Sequence, residues 1–272
     1  MKASTPSHPY VRSSRLLVVG HRGASGRAPE NTLPSFQQAL RAGADALEMD
    51  IHPSSDEIPM VIHDDTVERT TDGCGRVRDM TCAELRALDA GYRFSPDRDL
   101  TCPHRGSGVT IPTLEEVLDL AGPARLNIDF KETSPGMETR IHGLLDRFAA
   151  RDRVLVCSHD GRIAARLRSS FRGMATSATS GEVAWMLIAG WFGLGRMAVP
   201  PVQALQIPLR RYGLTVASRR TVGLAHTAGL AVHVWTVNDP AEIERCIDLG
   251  VDGIMSDFPE RVVEALTGRG MR

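Results

Sequence analysis

The chain has 272 residues and a mass of 29.6 kDa, with 42% hydrophobic and 24% charged residues. This composition is that of a globular protein and excludes a disordered, collagen-like or coiled-coil chain. It has 32 basic and 33 acidic residues, which leave a formal net charge of −1. Because proteins that grip nucleic-acid phosphates usually carry a basic excess, we expect no nucleic-acid partner.

The cysteines and the N-terminal residues indicate in which cellular compartment the protein is found. The five cysteines are odd in number and scattered, with no C-x-x-C pair, a pattern typical of reduced thiols in a cytoplasmic protein. The first apolar run is only Leu16 to Val19, whereas a secretory signal needs about 7–15 apolar residues. No apolar stretch reaches the roughly 20 residues of a transmembrane helix. We therefore expect a soluble, cytoplasmic protein without a transmembrane segment.

Short apolar, β-branched runs alternate with helical patterns along most of the chain, which predicts βα units around a parallel sheet. Thr32, Thr113 and Asp239 are placed to cap helices that follow some of these runs. Nine strands are predicted: Leu16–Gly20, Ala46–Ile51, Pro59–Ile62, Arg125–Phe130, Val154–Cys157, Gly173–Thr176, Gln203–Ile207, Ala231–Thr236 and Gly253–Ser256.

The second and third predicted strands are joined by only seven residues, 52–58, with the loop 53–57 at their centre. A parallel crossover needs a dozen residues or more, so these two strands should form an antiparallel hairpin. Its centre near residue 55 or 56 places His63 roughly opposite Glu48. With the return strand set aside, eight strands remain, which predicts an α/β fold of the (β/α)8 TIM-barrel type.

No change of composition, repeat or long linker divides the chain. We therefore predict a flexible N-terminal segment at residues 1–15 and a single barrel domain at residues 16–267. The irregular stretch 71–111, with two glycine-rich patches, is interpreted as an insertion in that domain.

Functional groups of parallel α/β sheets collect at the carboxyl ends of the strands. The first strand ends in His21 and Arg22, which suit a base and an anion clamp, although an ordinary polar turn explains them as well. In the second strand, period two sends Glu48 and Asp50 to the same side. Two inward acids repel each other unless a cation lies between them, and a hard divalent ion is the natural one. A solvated strand edge is the alternative for this pair.

Two further segments supply more groups of the same kind. His63 ends the return strand and would stand ready to protonate a leaving oxygen. In the fourth strand, Asn127, Asp129 and Lys131 share one face and supply a third carboxylate and an ammonium. Two histidines, three carboxylates, an arginine and a lysine are an inventory that suits metal-assisted attack on a phosphate ester.

The ordered motifs resemble those of the glycerophosphodiester phosphodiesterase family over about residues 16–260. Each tripeptide alone is common, but the ordered combination is specific. The motifs are GHRGA at 20–24, PENT at 29–32, LEMD at 47–50, VIHD at 61–64, IPTLEE at 111–116, NIDFK at 127–131, WTVN at 235–238 and GVDGIMSD at 250–257.

This resemblance implies a (β/α)8 barrel that hydrolyses a glycerol-linked phosphodiester, its small-molecule partner, to an alcohol and sn-glycerol 3-phosphate. Many family members have glutamate where this chain has Asp129, which is one methylene shorter. The roles that the family pattern implies are catalytic for His21 and His63, divalent metal binding (Mg²⁺ or Ca²⁺) for Glu48, Asp50 and Asp129, and substrate binding for Arg22, Lys131 and Trp235.

Two other functions stay open at this point. A lysophospholipase D-like enzyme would keep an acyl chain on the glycerol of its substrate. A non-catalytic barrel that only binds phosphodiesters belongs to another class, but such a barrel does not need a paired acid and base. The sequence does not reveal the oligomeric state.

The apolar segment from Val183 to Gly195 contains two of the three tryptophans. It is interpreted either as an outer-barrel helix or as a hydrophobic lip that borders the catalytic mouth. A lip could hold an acyl chain or make a peripheral membrane contact, with Trp191 or Phe192 at least partly exposed.

Overall fold

Eight parallel strands form the centre of the computed structural model, which describes residues 8–96, 101–192, 194 and 198–272. With the antiparallel strands β3, β8 and β9 included, the strands in chain order are β1 Leu17–Gly20, β2 Ala46–Pro53, β3 Pro59–Val61, β4 Arg125–Phe130, β5 Val154–Cys157, β6 Ala175–Thr176, β7 Ala204–Pro208, β8 Arg210–Arg211, β9 Leu214–Thr215, β10 Ala231–Trp235 and β11 Gly253–Ser256. The helices are α1 Leu33–Arg41, α2 Cys82–Arg86, α3 Leu114–Ala121, α4 Pro135–Arg147, α5 Gly161–Ser170, α6 Ser180–Trp191, α7 Arg219–Thr227, α8 Pro240–Leu249 and α9 Pro259–Gly268.

The parallel strands are ordered β6-β5-β4-β2-β1-β11-β10-β7. A single parallel bridge between Ser177 and Ala204 joins the two ends of this sheet, so the strands close into a barrel. The predicted (β/α)8 architecture is confirmed, and each of the nine predicted strands is present with shifts of at most two residues at its ends. The short hairpin of β8 and β9 was not predicted.

β2 and β3 form the predicted antiparallel hairpin, with Ile51 paired to Val61 and Pro53 to Pro59. This register is centred on residue 56 and brings the Ile62 amide to the Asp50 carbonyl. Continued by one residue, it sets His63 level with Met49 rather than with Glu48.

Successive side chains of each barrel strand point alternately to the layer under the helices and to the inside of the barrel. Leu47, Met49 and Ile51 of β2 point outward and pack under the helices in one apolar cluster. Glu48 and Asp50, between them, point into the barrel and are almost completely buried. The same period in β4 buries Asn127 and Asp129 inside the barrel. Charged groups therefore enter the barrel because the strand period puts them there.

The predicted helix starts are confirmed. Thr32 accepts a hydrogen bond from the Ser35 amide, and Thr113 forms a capping box with Glu116 at the start of α3. Asp239 accepts from two amides of the first turn of α8. Among the described residues, no helix combines the length and the apolar character needed to cross a membrane.

The stretch predicted as an insertion, 71–111, packs on β3 around its own small apolar cluster, and residues 97–100 lie outside the described residues. That cluster includes Met60, Ile62, Val67, Val77, Leu85, Ala90, Val109 and Ile111.

The N-terminal segment does not match the prediction that residues 1–15 are flexible. Pro9–Val11 form a short 3-10 helix capped by the His8 ring, and Tyr10 is only 1% exposed. Tyr10 packs with Leu155, Ala204 and Ala231 on the inner faces of three strands. An aromatic ring is needed there because the small alanine side chains leave space inside the barrel. Residues 1–7 lie outside the described residues, so the prediction is untested for them and wrong for 9–11.

The Tyr10 hydroxyl is buried and has no hydrogen-bond partner among the described residues. We expect Tyr10→Phe to leave the free energy of unfolding unchanged or to raise it by up to about 1 kcal/mol, since an unpaired hydroxyl is removed. Tyr10→Ala should lower it by about 3–5 kcal/mol because a large cavity is left. Urea denaturation measures both, with Tyr212→Ala as the control, since Tyr212 is 91% exposed. A clear loss in Tyr10→Phe would show that the hydroxyl has a partner.

Candidate active site

A cavity of about 230 Å³ opens at the carboxyl ends of the barrel strands. It brings together all eight side chains that the sequence singled out, although they come from five separate segments of the chain. They are His21, Arg22, Glu48, Asp50, His63, Asp129, Lys131 and Trp235.

The turn after β1 holds His21 and Arg22 in a fixed, unusual conformation. Arg22 has φ of +54°, and its amide donates to Glu48 Oε2 at 2.9 Å. Gly23 follows with φ of +87°, and a Cβ there would lie 2.4 Å from Ser35 Oγ. Glycine is therefore required at this position, both for the backbone conformation and for the close approach of α1.

Asp257, at the end of β11, orients His21. His21 Nδ1 lies 2.6 Å from Asp257 Oδ1, and Ser25 and Asn238 donate to the same carboxylate at 2.7 and 2.6 Å. Burial alone would lower the pKa of His21, but the hydrogen bond to Asp257 and the charge of Glu48 raise it above the ordinary value. With Nδ1 engaged, Nε2 is the ring nitrogen left for proton transfer.

Asp50 is buried and surrounded by donors. Its carboxylate lies 2.8 Å from Lys131 Nζ, 3.1 Å from Arg22 Nε and 2.8 Å from the Asn31 amide nitrogen. Burial would raise the pKa of Asp50, but the Lys131 and Arg22 charges lower it. Lys131 also contacts Asp129 Oδ2 at 2.6 Å, so the ammonium lies between two carboxylates. Despite burial, Asp50 and Asp129 raise the pKa of Lys131.

The carboxylates of Glu48 and Asp129 are less completely balanced by neighbouring cations and hydrogen-bond donors than that of Asp50. Burial, followed by the charge of Asp50, raises the pKa of Glu48 to about 7. Asp129 Oδ1 is buried with no hydrogen-bond partner among the described residues. Hard carboxylate oxygens in this condition suit a divalent cation. Within the described part of the chain, however, no three His, Cys, Asp or Glu side chains converge as a ready-made metal site. Metal binding by Glu48, Asp50 and Asp129 therefore stays a prediction.

A chain of ion pairs connects the second histidine to Arg22. His63 Nδ1 lies 2.6 Å from Asp64 Oδ1, and Arg69 contacts Asp64 and Glu30 at 2.5 and 2.7 Å. Glu30 in turn accepts from Arg22 Nη1 at 2.8 Å. Burial would raise the pKa of Asp64, but Arg69 and His63 lower it to about 2. His63 and Arg22 are thus held in one network.

Trp235 and His159 form one side of the cavity. Their rings meet edge to face with centroids 5.6 Å apart, and His159 Nε2 lies 3.8 Å from Asp129 Oδ2. His159, which follows β5 in the chain, was not assigned a role from the sequence, and the structure places it at the cavity.

Comparisons with known proteins agree with this arrangement. Residues 21–261 match the model of the glycerophosphoryl diester phosphodiesterase family. The chain belongs to this family. A glycerophosphodiester phosphodiesterase of Caldanaerobacter subterraneus is 31% identical over 94% of this chain and all of its own length. As a member of the family, the chain is a phosphoric diester hydrolase.

Two more distant relatives are informative. A crystallised phosphodiesterase of Oleispira antarctica, in complex with the product sn-glycerol 3-phosphate, matches with a TM-score of 0.75 and 26% identity, over 93% of this chain and 97% of its own. A lysophospholipase D of Mus musculus is 26% identical over 91% of this chain and 85% of its own length.

Four positioning residues of this family member were not assigned from the sequence: Asp257, Asn238, Asp64 and Arg69. Asp257 and Asp64 stand within motifs that the resemblance used, and each directly follows a strand or return arm. The rule that locates polar groups at strand ends could have found both. Arg69 could not be found, because its role depends on a loop that folds back to Glu30. Glu30 and Asn31, both in the PENT motif, contact Arg22 and Asp50.

Replacing Asp257 by Asn should lower the pKa of His21, because a carboxylate beside the ring favours its protonated form and an amide does not. NMR titration of the His21 ring protons measures the change. Asp64→Asn is the matched control, since it contacts His63 and leaves the His21 pKa unchanged. An equal His21 pKa in wild type and Asp257→Asn would mean that Asp257 does not set the charge of His21.

Proposed function

We propose that the protein hydrolyses glycerophosphodiesters, such as glycerophosphocholine, to an alcohol and sn-glycerol 3-phosphate. The observation that carries this proposal is one cavity with two carboxylate-held histidines and two partly buried cations. Membership of the family and the product complex of the Oleispira relative support it.

The two histidines divide the proton transfers. His21 and His63 each turn Nδ1 toward a carboxylate, so that each presents Nε2 as the reactive nitrogen. His21 takes a proton from the attacking oxygen, and His63 donates one to the departing alcohol. The aspartates fix the ring orientation and stabilise the imidazolium form during transfer.

Arg22 and Lys131 bind the phosphate. Both are partly buried and already held by Asp50, so they need little reorganisation when a phosphate oxygen arrives. Glu48, Asp50 and Asp129 would hold one divalent cation, Mg²⁺ or Ca²⁺. When bound, that ion would neutralise negative charge on the phosphoryl oxygens. The uncompensated oxygen of Asp129 and the raised pKa of Glu48 support this assignment.

The purified protein should convert glycerophosphocholine to sn-glycerol 3-phosphate, and EDTA should abolish the reaction until Mg²⁺ or Ca²⁺ is restored. His21→Ala and His63→Ala should each lose about 10²-fold or more in kcat, because each removes one proton transfer. His104→Ala, in the insertion away from the cavity, is the control and should stay near wild type. A coupled assay of glycerol 3-phosphate measures all four proteins.

Three outcomes would contradict parts of this proposal. Turnover that survives exhaustive chelation would show that the reaction needs no metal ion. Full activity in either histidine variant would remove that residue from catalysis. Binding of glycerophosphocholine without turnover would instead indicate a non-catalytic phosphodiester-binding barrel.

A second candidate substrate class is favoured by an apolar groove of about 400 Å³ beside the cavity. The groove shares Ser180, Gln206 and Trp235 with the cavity, so the two spaces adjoin. Its remaining wall is largely apolar and could hold the acyl chain of a lysophospholipid. Side chains of that wall are Val183, Ala184, Leu187, Ile207, Pro208, Tyr212 and Val216.

Leu187→Glu should therefore reduce turnover of monomeric lysophosphatidylcholine about tenfold or more, while turnover of glycerophosphocholine stays within about twofold, because a carboxylate in the groove opposes an acyl chain. Ile188→Glu is the matched control, since the neighbouring side chain is exposed and does not line the groove. Rates are compared below the critical micelle concentration. Equal losses for both substrates in Leu187→Glu would remove the acyl-chain role.

We also propose a cytoplasmic location. The five cysteines, all within the described residues, are free and form no disulfide. Unpaired thiols fit a reducing compartment.

A further inference from the structure

An unusual apolar surface lies on α6 and the neighbouring hairpin. Among the residues that the structure describes, eight large hydrophobic side chains are exposed, and all but Met271 lie between 185 and 214. We name this set the α6 face. It consists of Trp185, Ile188, Trp191, Phe192, Leu194, Tyr212 and Leu214.

The helix itself explains why the face is exposed. α6 buries Val183, Met186 and Ala189 against the barrel, whereas Trp185, Ile188 and Trp191 recur every three residues on the opposite side. Trp191 and Phe192 are each 76% exposed, which confirms the exposure expected of at least one of them. They lie at the end of α6 opposite Ser180, which lines the cavity. Of the described residues of the predicted lip, none lines the cavity itself, and Val183, Ala184 and Leu187 line the adjoining groove. Gly193 and Gly195, which that prediction also used, lie outside the described residues.

The chain stretch that forms the α6 face carries charge of one sign, and the nearest acid on α6, Glu182, is paired with Arg168. The chain has no aspartate or glutamate from residue 183 to residue 238, although acids slightly outnumber bases overall. Four arginines of this stretch are exposed on the β8–β9 hairpin and at the start of α7, namely Arg210, Arg211, Arg219 and Arg220. The surroundings of the apolar face are therefore positively charged.

Contacts tie these arginines to the aromatic side chains. The Arg220 guanidinium lies 5.0 Å from the Trp191 ring centroid and donates to the Gly190 carbonyl at 3.2 Å. Arg211 lies 5.4 Å from the Tyr212 ring and donates to Ser180 at the start of α6. The hairpin and α7 thus flank α6, and cations and aromatic rings form one continuous surface.

We propose that the α6 face binds the surface of an anionic phospholipid membrane. Tryptophan and tyrosine prefer the boundary between lipid headgroups and acyl chains, and arginines beside them attract anionic headgroups. The absence of acids over 183–238 is the charge complementarity that such a surface needs. Since the groove beside the cavity adjoins α6, docking would bring the catalytic mouth close to the membrane.

Sedimentation with phosphatidylcholine vesicles, with and without 50% phosphatidylglycerol, tests the proposal. The protein should bind the anionic vesicles, and this binding should weaken as the NaCl concentration is raised. Trp185→Ser/Trp191→Ser should reduce binding about tenfold or more, since it removes the inserted aromatic rings. Arg210→Gln/Arg220→Gln should reduce binding to anionic vesicles by a similar factor and flatten the salt dependence. Met271→Ser and Arg162→Gln are matched controls on exposed side chains outside the face.

Circular dichroism and hydrolysis of soluble glycerophosphocholine show whether each variant is folded, because none of the replaced residues lines the cavity. If wild type binds vesicles but does not hydrolyse glycerophosphocholine, the proposed function fails and the membrane surface stands. The membrane proposal is overturned if wild type ignores anionic vesicles or if the face variants bind as well as the controls. It is also overturned if sedimentation equilibrium shows a dimer that Trp185→Ser/Trp191→Ser dissociates, since a second copy would then cover the face.

Discussion

The site depends on the compensation of one buried carboxylate, Asp50. Strand periodicity forces this side chain into the barrel, where a bare negative charge is very unfavourable. Lys131, Arg22 and Asn31 surround it, and each comes from a different segment of the chain. Three segments are therefore fixed relative to one another by the need to satisfy a single charge, and these same segments carry the groups proposed to bind the phosphate.

That compensation also positions the two histidines proposed to transfer protons. Arg22 is held by Asp50 and Glu30, and its backbone amide is held by Glu48. His21 precedes it in the same strained turn, so the ring cannot move far without breaking these contacts. On the other side, Glu30 reaches His63 only through Arg69 and Asp64. The cavity is polar and preorganised, which is the condition under which fixed charges accelerate a reaction in a site shielded from water.

The rest of the cavity rim has a different character. From Val183 in α6 to the start of α7 the chain carries aromatic rings and arginines without acids, and one apolar groove opens toward Trp235. The half of the barrel from β1 to β4 supplies the carboxylates and cations that line the cavity. The opposite half supplies apolar surface. A substrate with a charged phosphodiester and an apolar part would meet both halves at once, which is a physical reason for the two surfaces to adjoin.

The sequence by itself determined the barrel, the β2–β3 hairpin and the eight side chains that meet in the cavity. The barrel and the hairpin follow from short-range rules: strand periodicity sets which side chains face inward, and loop length forbids a parallel crossover between β2 and β3. Seven of the eight side chains follow from the same strand-end reasoning, and Trp235 was expected from the family resemblance alone. Only the tertiary structure decided the partners of those side chains. Asp257 meets His21 across 236 positions of the chain, and Lys131 lies between Asp50 and Asp129. Tyr10 likewise enters the barrel because the facing alanines leave room, a fact of packing that no local pattern records.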